Sequence, residues 1–87
     1  MCTLPKTSLM SCQLSFYPLA DENYEETVKQ VLDIISKYQV KYQVNAMSTI
    51  ITGEAEQVFL LIQKIYASMA GKTNFVMNMS ISNTCGL

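Results

Sequence analysis

The 87-residue chain contains no His, no Trp and no Arg, and all six of its basic residues are Lys. Without His, the chain lacks the commonest general base and the commonest metal ligand at neutral pH. Without Arg, it lacks the side chain that reads phosphate and guanine through two hydrogen bonds. A formal net charge of −1 gives no long-range attraction to phosphate either. These absences argue against an acid–base enzyme, a metal centre and nucleic-acid binding.

Membrane and secretory signals are also missing from the sequence. No apolar run approaches the ~20 residues that a membrane helix needs, and the first residues, MCTLPKTSL, lack the apolar segment of a signal peptide. Three Cys residues occur without paired spacing, as expected in a reducing compartment: Cys2, Cys12 and Cys85. We therefore expect a soluble, cytoplasmic protein without membrane insertion. It should form one domain over residues 1–87, with flexible ends at 1–9 and 83–87.

The apolar residues follow two periods, which predict strands and helices respectively. In chain order, the predicted elements are a strand in MSCQLSFYP, a helix in PLADENYEETVKQVLDIISKY, strands in VKYQVNA and MSTIITG, a helix in EAEQVFLLIQKIYASMAG and a strand in NFVMNMSIS. With right-handed crossovers, this order gives an α+β, ferredoxin-like βαββαβ sandwich. Its four-stranded antiparallel sheet would carry both helices on one face.

Boundary signals refine these elements. Asn23 and Glu26 fit a capping box at the start of the first helix, Gly53 should end the third strand, and Gly71 should cap the second helix. A tight hairpin is expected near Asn45–Ala46. The predicted core stripe of the second helix is Ala55, Val58, Phe59, Ile62, Ile65, Tyr66 and Met69.

The phase of strand 47–53 depends on the length of the turn before it. A two-residue turn places Thr49 and Ile51 on the same side as Val44, with the core. One extra turn residue reverses this assignment.

The sheet face turned away from the helices, here called the open face, carries almost no charge. By alternation its residues are Ser11, Gln13, Ser15, Tyr17, Lys41, Gln43, Asn45, Val76, Asn78, Ser80 and Ser82, with Ser48, Ile50 and Thr52 if the turn has two residues. Solvated faces favour Lys and Glu, whereas interfaces are depleted of both. We therefore expect this face to be covered by a second copy, in a homodimer or homotetramer, and by a small polar ligand. The alternative, that Ser and Thr simply tolerate a wet strand face, stays open.

Two short motifs do not carry the chemistry that they suggest. MAGKT resembles the end of a phosphate-binding loop, but Tyr66 stands where that motif needs Gly and the segment closes a helix. MSCQLS resembles the M-x-C-x-x-C of soft-metal carriers, but Ser15 replaces the second Cys. We expect neither phosphate nor metal binding at these sites.

Three longer strings, QLSFYPLADENYEETVKQVL, NAMSTIITGE and FVMNMSIS, together resemble the YkoF-type thiamine/hydroxymethylpyrimidine-binding family over residues 11–86. The resemblance implies a ferredoxin-like domain that pairs through its sheets. It also implies binding of thiamine or its pyrimidine moiety in the cytoplasm, in uptake or salvage and without catalysis. YkoF resembles two such domains in tandem, so two copies of this chain would have to supply what one long chain supplies there.

The open face offers groups that suit this ligand. Amides and hydroxyls match the ring nitrogens and amino group of the pyrimidine, and an aromatic ring or a carboxylate suits the thiazolium cation. The candidate ligand-binding residues are Gln13, Ser15, Tyr17, Asp21, Asn45, Ser48, Thr49, Asn78 and Ser80. Thiamine would be a ligand, and no cofactor or catalytic residue is expected. The competing hypothesis is an ACT-like module that senses small molecules such as amino acids on the same architecture.

Overall fold

The computed structural model describes residues 8–19, 24–45 and 48–83 of the chain. Its elements follow the predicted order: β1 (Leu9–Leu19), α1 (Tyr24–Ser36), β2 (Val40–Val44), β3 (Thr49–Glu54), α2 (Ala55–Ala70) and β4 (Asn74–Ser82). β1 begins within the segment that the sequence assigned to the N-terminal end. The capping box predicted at Asn23 lies outside the described residues.

The four strands form one antiparallel sheet in the order β2-β3-β1-β4. β1 is central: it pairs with β3 from Leu9 to Leu14 and with β4 from Ser11 to Leu19. The predicted ferredoxin-like βαββαβ fold is therefore confirmed. β2 and β4 are the two edge strands.

The β2–β3 hairpin settles the phase of β3. The backbone N–H of Asn45 donates to the carbonyl oxygen of Ser48 at 2.8 Å, which leaves two residues between them. Val44 consequently lies opposite Thr49, and Ile51 lies opposite Tyr42 on the side of the core. The turn between β2 and β3 therefore has two residues, and Thr49 and Ile51 lie on the same side of the sheet as Val44.

The core lies between the helices and the middle of the sheet. Its buried residues are Met10, Cys12, Leu14 and Ile51 from the sheet, Val31 and Ile35 from α1, and Val58, Leu61, Ile65 and Met69 from α2. Both helices therefore present one apolar stripe to the two inner strands, as the amphipathic pattern requires.

The predicted stripe of α2 was partly wrong. Leu61, which the prediction omitted, is fully buried, whereas Phe59 and Tyr66 are exposed. The residues that face the sheet recur at steps of three and four from Val58 to Met69. Because apolar residues surround most of this helix, more than one stripe satisfies the helical period, and packing against the sheet selects one of them.

The prediction that Gly53 ends its strand was also wrong, since β3 continues to Glu54 and Gly53 pairs with Met10 and Val40. Gly is suited to this position because a Cβ there would lie 3.1 Å from Cγ1 of Val40. Gly53 therefore allows close approach of a neighbouring side chain within a continuous strand.

The end of α2 agrees with the prediction. Gly71 is its C-terminal cap, with φ −85° and ψ −5°. The backbone N–H groups of Lys72 and Thr73 both donate to the carbonyl of Met69, at 2.9 and 3.1 Å. MAGKT thus closes a helix.

Candidate functional site

Antiparallel pairing gathers several of the predicted residues on the open face. Gln13 lies opposite Ser80, and Ser15 lies opposite Asn78. The side-chain amide of Gln13 also donates from Nε2 to Oγ of Ser48 at 3.3 Å. Five of the predicted residues therefore form one polar surface across β1, β4 and the residue that precedes β3.

The open face is uneven in burial and charge. Leu9 and Ser11, at one end, are only 6% and 0% exposed. Lys41 and Glu54 also lie towards this end, since Lys41 shares a row with Ser11 through Thr52, and Glu54 pairs with Leu9. From Gln13 onwards, the described strand residues of the face are uncharged and exposed or half-buried. The surface that needs a cover is therefore this second part.

A cavity of about 250 Å³ lies between α1 and the hairpin end of the sheet, on the side of the helices. Its lining residues are Leu14, Phe16, Tyr17, Tyr24, Val28, Val31, Leu32, Val44, Asn45, Ser48 and Thr49. Burial along α1 explains its position, because exposure falls from 51% at Tyr24 to 3% at Val31. The first turns of α1 therefore stand away from the sheet and leave the space.

The cavity combines apolar walls with uncharged polar groups. Phe16, Tyr17 and Tyr24 supply aromatic rings, while Asn45 and Thr49 supply an amide and a hydroxyl at the hairpin end. No charged side chain occurs among the described lining residues. Such a lining suits a flat, neutral or cationic heterocycle, because rings stack on it and hydrogen bonds orient the ligand.

One wall of the cavity is held by neighbouring rings. Phe16 stacks on Phe75 with ring centres 4.9 Å apart and an angle of 26°. Tyr66 meets the same Phe75 ring edge-on at 5.7 Å and 73°. This arrangement fixes the orientation of the Phe16 side chain before any ligand binds.

The cavity contains four of the nine predicted residues: Tyr17, Asn45, Ser48 and Thr49. Gln13, Ser15, Asn78 and Ser80 lie on the open face and do not line it. Asp21 lies outside the described residues, between the cavity residues Tyr17 and Tyr24 in the sequence.

Sequence reasoning missed the contribution of α1 to this cavity. Tyr24 and Val28 have the spacing of a core stripe, and nothing in that spacing shows that the helix leaves the sheet towards its first turn. The one signal that could have indicated a binding wall is that Tyr24 stands among four acidic residues: Asp21, Glu22, Glu25 and Glu26.

The described residues contain no metal-binding cluster, and their one cysteine is buried. Within ranges 8–19, 24–45 and 48–83, no three His, Cys, Asp or Glu side chains are grouped so as to hold a metal ion. Burial raises the pKa of the Cys12 thiol, which disfavours the nucleophilic thiolate. Neither helix in these ranges has both the length and the apolar character to cross a membrane.

Comparison with protein families decides where this domain belongs. Residues 12–85 match the thiamine-binding protein family. The chain is a member of that family. Comparison with curated proteins gave no match.

Solved structures share the fold of this thiamine-binding family member. A hypothetical protein of Methanocaldococcus jannascii is 19% identical, with 86% of this chain and 79% of the other covered and a TM-score of 0.77. A Thermotoga maritima protein, provisionally assigned to thiamine biosynthesis or salvage, is 20% identical, with 85% and 82% covered and a TM-score of 0.76. A Streptococcus pneumoniae protein is 18% identical, with 85% and 84% covered and a TM-score of 0.78. At these identities, the likeness concerns the fold.

Proposed function

We propose that this protein binds thiamine, or its hydroxymethylpyrimidine moiety, without catalysis, and that it serves uptake or salvage of the vitamin in the cytoplasm. The observation that carries this proposal is the cavity beneath α1, whose described lining is aromatic and polar but uncharged. Membership of the thiamine-binding protein family supplies the class of ligand.

The size and lining of the cavity suit the pyrimidine ring. At about 250 Å³, it lies just below the ~300–1,000 Å³ of pockets for drug-sized ligands. The amide of Asn45 and the hydroxyls of Ser48 and Thr49 can donate to ring nitrogens and accept from the exocyclic amino group. Tyr17 and Tyr24 offer ring faces to the thiazolium cation. A phosphorylated vitamin would find no cationic partner among the described lining residues.

Two copies of the chain would associate through the open face. Ser48 lines the cavity and also accepts the hydrogen bond from Gln13 on the open face. A second copy that covers Gln13, Ser15, Asn78 and Ser80 would therefore lie close to the cavity. The assembly would be a homodimer or a homotetramer, with neutral polar groups hydrogen-bonded between the sheets.

Calorimetric titration tests the ligand. We expect heat with thiamine and with hydroxymethylpyrimidine, weaker or no heat with thiamine diphosphate, and none with a panel of amino acids. No heat with the first two up to millimolar concentration would contradict the proposal. Heat with an amino acid would favour the ACT-like alternative. An unchanged proton spectrum of thiamine after long incubation with the protein would support binding without catalysis.

A matched pair of variants in β3 tests the place of binding. Thr49→Val removes a hydroxyl from the cavity, whereas Thr52→Val removes one from the opposite face of the same strand. One hydrogen bond contributes about 0.5–1.5 kcal/mol, so Thr49→Val should weaken pyrimidine binding about 2- to 13-fold. Thr52→Val should leave the affinity unchanged. Equal affinities for wild type and Thr49→Val would show that the ligand binds outside the cavity.

A further inference from the structure

The strands of the sheet end at different levels beside the cavity. β1 pairs with β3 only as far as Leu14, which lies opposite Thr49. Over residues 15–19, β1 pairs with β4 alone among the described strands. The cavity lies at this level, since its lining includes Leu14, Phe16 and Thr49. It therefore occupies the helix side of the sheet where β3 no longer accompanies β1.

Phe16 consequently has a strand neighbour on one side only. It lies opposite Met77 of β4, and no described residue of β3 pairs with it. Its side chain is half-buried and packs against the edge of the core. A ring in such a position can adopt more than one rotamer unless its neighbours exclude the alternatives. Support for the Phe16 ring within the sheet must therefore come from β4.

The ring that gives this support is Phe75. It lies opposite Pro18 and next but one to Met77 in β4, so its side chain shares the helix side of the sheet with Phe16. The Phe16 and Phe75 rings stack with centres 4.9 Å apart, within the ~4.5–7 Å of favourable aromatic pairs. Tyr66 of α2 meets Phe75 edge-on at 5.7 Å. Phe75 is not among the described residues that line the cavity, so it contacts the wall from behind.

We propose that Phe75 is a positioning residue for ligand binding: its ring holds Phe16 as a preformed wall on which the pyrimidine ring packs, and Tyr66 holds Phe75 in turn. This inference rests on the proposed function and adds a residue outside the cavity that determines its affinity. Without Phe75, the Phe16 ring can turn into the space left behind it or into the cavity. Binding would then have to order that ring, which costs affinity, whereas a ring that is already fixed costs little.

A purely structural role for Phe75 makes a different prediction. Phe75 packs against the core, so its loss should lower stability in either case. If packing were its whole contribution, the molecules that remain folded would bind with unchanged affinity. Positioning instead predicts a lower affinity in the folded protein, and it predicts that this loss depends on Phe16.

Calorimetric titration with hydroxymethylpyrimidine, at a temperature where all variants are folded, separates the two roles. Phe75→Leu should bind about 2- to 13-fold more weakly, the range expected for one aromatic pair. Phe75→Tyr keeps the ring and should bind within about twofold of the wild type. Tyr38→Leu is the matched control, because Tyr38 is a half-buried ring on the same core, beyond the other end of α1 and outside the described cavity lining. It should leave the affinity unchanged. Wild-type affinity in Phe75→Leu would overturn the inference.

A double-mutant cycle tests whether Phe75 acts through Phe16. Phe16→Leu removes the wall itself, so adding Phe75→Leu to that variant should weaken binding no further. Independent contributions would instead add, as they do for residues that share no contact. Additive losses in affinity would show that Phe75 does not act by positioning Phe16.

The rotamer of Phe16 in the free protein provides a measurement that does not depend on a ligand. Three-bond coupling constants about χ1 of Phe16 should report one rotamer in the wild type and an average of several in Phe75→Leu. A single rotamer in both proteins would overturn the inference, whatever the protein binds. If the rotamer depends on Phe75 but the wild type gives no heat with hydroxymethylpyrimidine, the proposed ligand is contradicted while the positioning of the cavity wall by Phe75 is supported.

Discussion

The two faces of the sheet are built from the same strands and differ in what covers them. On the helix side, the central residues Cys12 and Ile51 are fully buried, while Tyr42 and Ile81 at the two edges remain exposed. On the open face, no described helix covers the polar rows that begin at Gln13. Alternation along a strand therefore determines towards which face of the sheet a side chain points. Whether anything covers that side chain depends on the width of the covering layer.

The largest expected effect compares neighbouring residues on the two faces. Ile51→Ala leaves a cavity among buried side chains and should lower the free energy of unfolding by about 2–5 kcal/mol. Ile50→Ala, one residue away on the open face, should cost less than about 1 kcal/mol in dilute protein, because Ile50 is only half-buried. Urea unfolding at low concentration measures both values. Equal losses would show that the open face is already part of a core within the single chain.

A second comparison concerns the cover of the open face by another copy. Gln13→Lys introduces a charge on the central strand of the open face, where a second copy would cover it. An unpaired charge in an interface is costly, and self-association should weaken about 10- to 100-fold in sedimentation equilibrium. Gln39→Lys makes the same change at an exposed residue between α1 and β2. If both variants associate like the wild type, the open face is solvated.

The fold could be predicted because its signals are local and agree with one another. Strand alternation, helical stripes and short connections give the order of the elements, and right-handed crossovers give the sheet. The phase of β3 required one further fact, the two-residue connection between Asn45 and Ser48. Sequence alone left that length open, because nothing in the segment NAMS distinguishes a turn of two residues from a turn with one extra residue.

The candidate site was only partly predictable for a physical reason. Thr49 and Tyr17 were identified by residue type, but their meeting with Tyr24 depends on how α1 is inclined to the sheet. Val31 and Ile35, further along the helix, are buried, whereas Tyr24 is exposed. Similarly, the exposure of Phe59 follows from the rotation of α2 about its axis, which an almost wholly apolar helix does not specify.

A smaller effect is expected where two strands approach closely on the covered face. Gly53→Ala places a Cβ about 3.1 Å from Cγ1 of Val40. Overpacking costs about 1–3 kcal/mol, while loss of Gly flexibility in the unfolded chain returns about 0.4–1 kcal/mol. We expect a net loss of about 1 kcal/mol. In a Val40→Ala background the same change should become neutral or stabilising, and the double-mutant cycle in urea measures the coupling. Additive effects would contradict a contact between these two positions.

The smallest expected effect uses the pH dependence of the covered face. Burial raises the pKa of Cys12 above the ordinary thiol value of 9.0. Above that pH, the unfolded chain releases the thiol proton while the folded chain keeps it. The unfolded state then binds fewer protons, so stability falls as the pH rises from 9.0 towards the pKa of the folded state. Between pH 8 and 9.5 the wild type should lose at most about 0.8 kcal/mol more than Cys12→Ala. Cys2 and Cys85 are present in both proteins, so their titration cancels in this comparison. Parallel curves throughout this range would show that the thiol is reached by water in the folded state.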